Sequence, residues 1–162
     1  MRKKTPRKRP RPPAVKPKSA RSGSPKIHLR DDGFLSPEER AGLKRLAARV
    51  VREERHPATE LSLWLTTDEK ISTLNKRFLK RDGPTDVISF PDGEPHPDGT
   101  LPLGDIAVSG ETARRNARRY KHAFFDELRR LVIHGVLHLL GHGHKKDAEM
   151  RRLEKLYAKM KV

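Results

Sequence analysis

The sequence predicts an α+β domain built on a mixed sheet and preceded by a disordered basic tail. Three observations carry this. Short alternating strands interleave with longer helical periods, without the strict order of a purely parallel sheet. The chain has 162 residues, enough for one domain with a modest core once a tail is set aside. The charge is also uneven: of the 37 Lys and Arg, 11 fall in residues 1–26 with no acid among them, leaving 26 basic and 21 acidic residues in 27–162.

The tail, MRKKTPRKRPRPPAVKPKSARSGSPK, holds six prolines and no aromatic residue. Such a segment buries too little apolar surface to fold alone. Its chemistry is attraction to phosphate backbones through counterion release, with nothing in it that reads bases. Residues 27–162 form the predicted folded domain. There is no cysteine, which excludes disulfides and thiolate ligands and fits a reducing compartment. No run approaches the roughly 20 apolar residues of a membrane span, and the basic N-terminus has no apolar stretch after it. The expectation is a soluble cytoplasmic protein.

The elements follow in order. Ile27–Arg30 reads as a short first strand. Ser36-Pro37-Glu38-Glu39 opens a helix, with Ser36 as N-cap, Pro37 in the first helical position and Glu39 closing a capping box. Leu43, Leu46, Ala47, Val50 and Val51 form its apolar face, and it ends before Pro57. Glu60–Thr66 alternates with Leu61, Leu63 and Leu65 on one face, the pattern of a half-buried strand. Thr66 and Glu69 suggest a second capping box, opening a helix whose face is Ile71, Leu74 and Phe78. Lys80–Thr85 is a polar turn, Asp86–Phe90 a strand, Pro91–Pro102 a loop and Leu103–Ser109 another strand. Gly110–Lys121 reads as a helix whose Arg114, Arg115, Arg118 and Arg119 form a positive face able to track a nucleic-acid strand. Phe124–Leu140 is the most apolar helix, and Asp147–Met160 a last amphipathic one.

The segment HGVLHLLGHGH, His134–His144, holds four of the eight histidines. His134 and His138 stand four apart, which puts both imidazoles on one helical face. Gly141 can adopt the left-handed conformation that ends a helix, so the chain can return with His144. Three neutral histidines with one open position is the pattern of a catalytic zinc site, whose bound water ionises near pH ~7. His142 reads as a surface residue or one supporting the ligands. The spacing HxxxHxxGxxH is similar to that of metzincin peptidases, but Gly135 stands where those enzymes carry their general-base glutamate.

Three separate segments together resemble the YbeY family, bacterial rRNA maturation factors described as single-strand-specific endoribonucleases. They are LNKRFLKRDGPTDVISFP (Leu74–Pro91), LGDIAVS (Leu103–Ser109) and HGVLHLLGHGH, in matching order and spacing. The resemblance implies a zincin-like single domain, a small mixed sheet packed against about five helices. It implies one zinc on His134, His138 and His144, and single-stranded RNA as substrate, notably the 3′ end of small-subunit rRNA. It further implies a role in ribosome maturation and quality control at the small ribosomal subunit. It implies neither a membrane nor DNA specificity. Thr85, Asp86, Ser89 and Asp105 fall on family motif positions beside the expected cleft, in structural or ligand-supporting roles. Two positions depart from the family pattern. Leu79 stands where an arginine usually follows the aromatic residue, and Gly143 where an aspartate precedes the third histidine. Arg81 is then the first choice to hold a phosphate, counted with the three histidines among the catalytic residues. The alternatives are a non-catalytic ribosome assembly factor with a structural zinc, and a metallohydrolase acting on another substrate.

Overall fold

A computed structural model describes residues 24–142 and 147–160. The elements run β1 (Lys26–Asp31), α1 (Pro37–Glu53), β2 (Glu60–Thr66) and α2 (Asp68–Leu74), the last continuing into a π-helical turn (Asn75–Leu79). They continue as β3 (Val87–Pro91), β4 (Pro102–Ser109), α3 (Gly110–Tyr120), α4 (Phe124–Leu139) and α5 (Asp147–Ala158). The four strands form one sheet in the order β1-β2-β4-β3. β1, β2 and β4 are parallel, and β3 closes one edge antiparallel to β4. This is the α+β mixed-sheet architecture with five helices that the sequence predicts.

Strand alternation decides which sheet face is buried. Leu61, Leu63 and Leu65 of β2 and Ile106 and Val108 of β4 share one face and are almost fully buried. α1 covers that face with Leu43, Leu46, Ala47, Val50 and Val51, and α4 with Leu128, Leu131, Val132, Ile133, Val136 and Leu137. Each fully buried aliphatic side chain contributes about 1.5–3 kcal/mol, so this layer dominates the stability. α1 starts as its sequence dictates: Ser36 Oγ accepts from the Glu39 N–H at 3.2 Å, and Glu39 returns a bond from the Ser36 N–H at 2.9 Å. The opposite face carries a smaller cluster in which Ile71 of α2 packs on Ile88 and Ala107.

Three local expectations differ from the structure. The N-cap of α2 is Thr67, whose hydroxyl accepts from the Lys70 N–H. Thr66 instead ends β2 opposite Ser109, and its buried hydroxyl donates to Asp32 at 2.7 Å. Phe78 does not continue a core face. The helix widens to the π-turn, Lys80 takes a left-handed conformation (φ 56°), and Phe78 is left 52% exposed. The α3 arginines keep an exposed face in Arg118 and Arg119, while the other two are engaged. Arg115 pairs with Asp68 at 2.7 Å, and Arg114 lies over the Phe34 and Phe124 rings at 5.2 and 5.0 Å. The last helix stops at Ala158, where the Lys159 and Met160 N–H groups bond back to Leu156 and Tyr157.

Candidate metal centre

α4 presents the histidines because only one stripe of it escapes the core. Its flanks are buried from Leu128 to Leu139, while Arg130 and His134 are half-buried and His138 is exposed. These three recur every fourth residue and so lie on one face. The His134 and His138 rings are parallel within 4°, with centroids 6.5 Å apart. The helix then ends in the expected way. Gly141 has φ 90°, its N–H bonds to the His138 carbonyl, and the His142 N–H bonds to the Leu137 carbonyl at 3.0 Å. That pair of bonds is a Schellman termination, which needs a left-handed residue at Gly141. His144 lies outside the described residues. Among the described residues no group of three metal-binding side chains forms.

The donor set fits a metal on its chemistry. His134 Nδ1 and Glu154 Oε1 are 2.7 Å apart, bringing α5 onto the histidine face. A carboxylate on one ring nitrogen orients the imidazole and raises the basicity of the other, which is how metal-binding histidines are usually supported. His134 Nε2 is thereby the nitrogen left for a ligand, beside the parallel ring of His138. His142 has a different partner: its Nε2 is 2.9 Å from Glu54 Oε2, while Tyr157 donates to Glu54 Oε1 at 2.6 Å. Burial and the Glu54 carboxylate push the Tyr157 phenol well above its ordinary pKa. His142 thus anchors the chain after α4 to the end of α1 and to α5.

One turn before His134, Arg130 binds the fully buried Glu127 through Nε at 3.0 Å and Nη2 at 2.6 Å. Burial pushes Glu127 upward, but Arg130, His122 and Asn116 outweigh it and hold the carboxyl below its usual range. Glu127, Asp86 and Glu154 together raise the Arg130 pKa against the cost of its burial. A guanidinium therefore stands permanently charged beside the histidine pair. Sequence reasoning passed over both Glu154 and Arg130. Glu154 is twenty residues from its histidine and carries no local signal. Arg130 had one: the four-residue repeat of His138 and His134 continues back to it.

The other predicted residues divide between the two sheet faces. Ser89 faces α4, where its hydroxyl donates to the Gly135 carbonyl at 3.4 Å. Asp86 accepts from the Val87 N–H and Thr85 Oγ1 at the start of β3, a turn-capping role. Asp105 does not sit beside the histidines. It lies across the sheet, exposed in a groove with Ser62 and Trp64, because the register that buries Ile106 turns Asp105 the other way. Arg81 is exposed on the loop leaving the π-turn, where its N–H bonds to the Asn75 carbonyl. Among the described residues no contact joins it to the histidine pair. Leu79 is exposed nearby.

The family model for endoribonuclease YbeY matches residues 35–161. An endoribonuclease YbeY from Syntrophotalea carbinolica is 42% identical over 116 residues, covering 69% of this chain and 77% of that one. The corresponding protein from Aquifex aeolicus is 48% identical over 90 residues, covering 56% of this chain and 59% of that one. A solution structure of a Thermotoga maritima protein shares the fold with a TM-score of 0.61 at 30% identity, covering 83% of this chain and 87% of that one. A helix presenting paired histidines above a mixed sheet, matched over most of its length by one family model, leads to one conclusion: this chain belongs to the endoribonuclease YbeY family.

Proposed function

We propose that the protein is a zinc-dependent endoribonuclease that cuts single-stranded RNA, acting in the cytoplasm on the 3′ end of small-subunit rRNA during ribosome maturation and quality control. The observation that carries this reading is the parallel His134–His138 pair with Glu154 on the far nitrogen of His134. His134 and His138 would hold the metal, with His144 as the third ligand. When bound, zinc supplies an electrophile for a phosphate oxygen and lowers the pKa of a coordinated water.

The chain's own groups do the rest. Glu154 fixes the tautomer and orientation of His134, so the ring need not reorganise. Arg130, one turn away, places fixed positive charge where the phosphodiester gains negative charge. Glu127 keeps that guanidinium in place from the buried side. Ser89 ties the edge strand β3 to α4 and so sets the wall of the cleft. Arg81, from the loop before β3, would take a flanking phosphate.

The test is cleavage of a short single-stranded RNA by the zinc-loaded full chain, by the chain after chelation, and by His138→Ala purified in parallel. Cleavage by the zinc-loaded wild type alone is the expected result. Equal cleavage by all three would mark a contaminating nuclease. RNA binding without cleavage by any of them would favour a ribosome assembly factor with a structural metal.

A further inference from the structure

The sheet face turned away from α4 is only partly covered. α2 lies over one part of it through Ile71. Beside α2 an open groove of about 960 Å³ crosses β1, β2 and β4 and ends at the π-turn. Trp64, Phe78 and Phe90 line a groove whose floor is otherwise aliphatic or small apart from His28 and Asp105. Phe78 meets Phe90 edge-on, with centroids 4.9 Å apart at 63°, and remains 52% exposed.

Positive charge surrounds these rings. Arg77 lies 5.2 Å over Phe78, and Arg30 lies 4.7 Å over Trp64. Lys26 and Lys44 stand on the rim, and neither has an ion-pair partner among the described residues. Arg30 is partly balanced by Asp32 at 3.6 Å. The acid within the groove is Asp105, exposed on the floor opposite Ser62.

Folding alone gives no reason to leave a phenylalanine half in water in a groove rimmed by unpaired lysines. Planar rings, guanidinium planes and unpaired cations together are what single-stranded nucleic acid binds, with bases on the rings and phosphates on the cations. An apolar protein partner would have to strip water from Lys26 and Lys44 without repaying it. The groove lies on the other face of the edge strand that flanks the histidine site. Consecutive residues of β3 point to both, Ser89 toward Gly135 of α4 and Phe90 toward Phe78.

We infer that this groove binds unpaired bases of the RNA substrate outside the segment that is cut. Bases stack on Phe78 and on the Arg30 guanidinium that covers Trp64, Lys26 and Lys44 take the phosphates, and Asp105 accepts from a base amino group or a 2′-hydroxyl. RNA leaving the histidine face passes around the edge strand β3 to reach it. The inference rests on the RNA substrate proposed above, but not on the metal or on cleavage.

Trp64 is the sole tryptophan of the chain, so the groove contains its own reporter. A short single-stranded oligoribonucleotide is titrated into the full chain in chelator, with a gel to confirm that the RNA stays intact. Trp64 emission reads the groove, and anisotropy of end-labelled RNA reads total binding, including any at residues 1–26. The expected result is saturable quenching whose midpoint rises about tenfold in Phe78→Ala, the scale of one lost base–aromatic stack. Lys44→Glu, on the exposed side of α1, should weaken quenching and reduce its salt dependence. Saturating anisotropy with unchanged Trp64 emission would overturn the inference. So would unchanged midpoints in both variants, or equal quenching by polyglutamate. Since no metal is present, a failed cleavage assay leaves this result standing, and a failed quenching assay leaves cleavage standing.

Discussion

Gly135 shows how one residue separates this chemistry from that of a peptidase with the same histidine spacing. A Cβ there would lie 2.9 Å from Ile106 Cγ2 and 3.2 Å from Ser89 Oγ. α4 approaches the sheet so closely that no side chain fits, and the position faces the core rather than the histidines. Gly135→Ala should therefore destabilise the fold by about 1–3 kcal/mol, the usual cost of overpacking. Urea denaturation monitored by Trp64 emission checks this, and an unchanged midpoint would mean that the close approach is not enforced. Glu154 works in the opposite sense, as a side chain the site needs. Glu154→Ala should lower zinc affinity by about 10–100-fold while leaving the melting temperature of the metal-free protein within a few degrees. Competition against a chromogenic chelator gives the affinity. The histidine pair itself was legible in the sequence because four-residue spacing has only one meaning on a helix. Its supporting carboxylate was not, because it comes from another element.

At the scale of elements, hydrophobic period recovered strands and helices well and their surroundings poorly. β2 was readable to the residue because Leu61, Leu63 and Leu65 alternate without interruption. α1 was readable because its capping box and apolar stripe agree. The π-turn was not, since Leu74 and Phe78 keep helical spacing while Phe78 is drawn sideways onto Phe90 of a strand. The sequence pattern shows that Asp105 and Ile106 face opposite ways, but not which of the two faces α4 covers. Asp32 is the clearest element-scale tie. It accepts from Thr66 Oγ1 at 2.7 Å, Trp64 Nε1 at 3.2 Å and Lys70 Nζ at 2.9 Å, joining the end of β1 to β2 and α2. The Thr66 bond leads these in lowering its pKa from 3.8 to about 2, against the opposing cost of burial. A carboxyl depressed in this way stabilises the fold fully above its unfolded value. That contribution fades as the pH falls from about 4 through about 2. Asp32→Asn should therefore lower stability at neutral pH and flatten its loss over this acid window, as measured by thermal melts across the range. Parallel acid profiles for variant and wild type would contradict the assignment.

For the molecule as a whole, charge and site divide the work. The formal net charge is +16, and much of it precedes residue 27, outside the zinc ligands proposed here. Removing residues 1–23 should weaken RNA binding at low salt and reduce the dependence of log affinity on log salt by several units, since each lost phosphate contact removes about 0.7 for a single strand. Cleavage per bound RNA should stay the same. Among the described residues no helix is long and apolar enough to cross a membrane. Cleavage is proposed to depend on a metal held by the α4 histidines. This dependence is tested most directly by titrating zinc into the metal-free full chain and measuring single-turnover cleavage of a saturating single-stranded RNA. The rate should rise linearly and break at one zinc per chain, with no rise for His134→Ala. A wild-type rate independent of zinc, or one that His134→Ala reproduces, would contradict it.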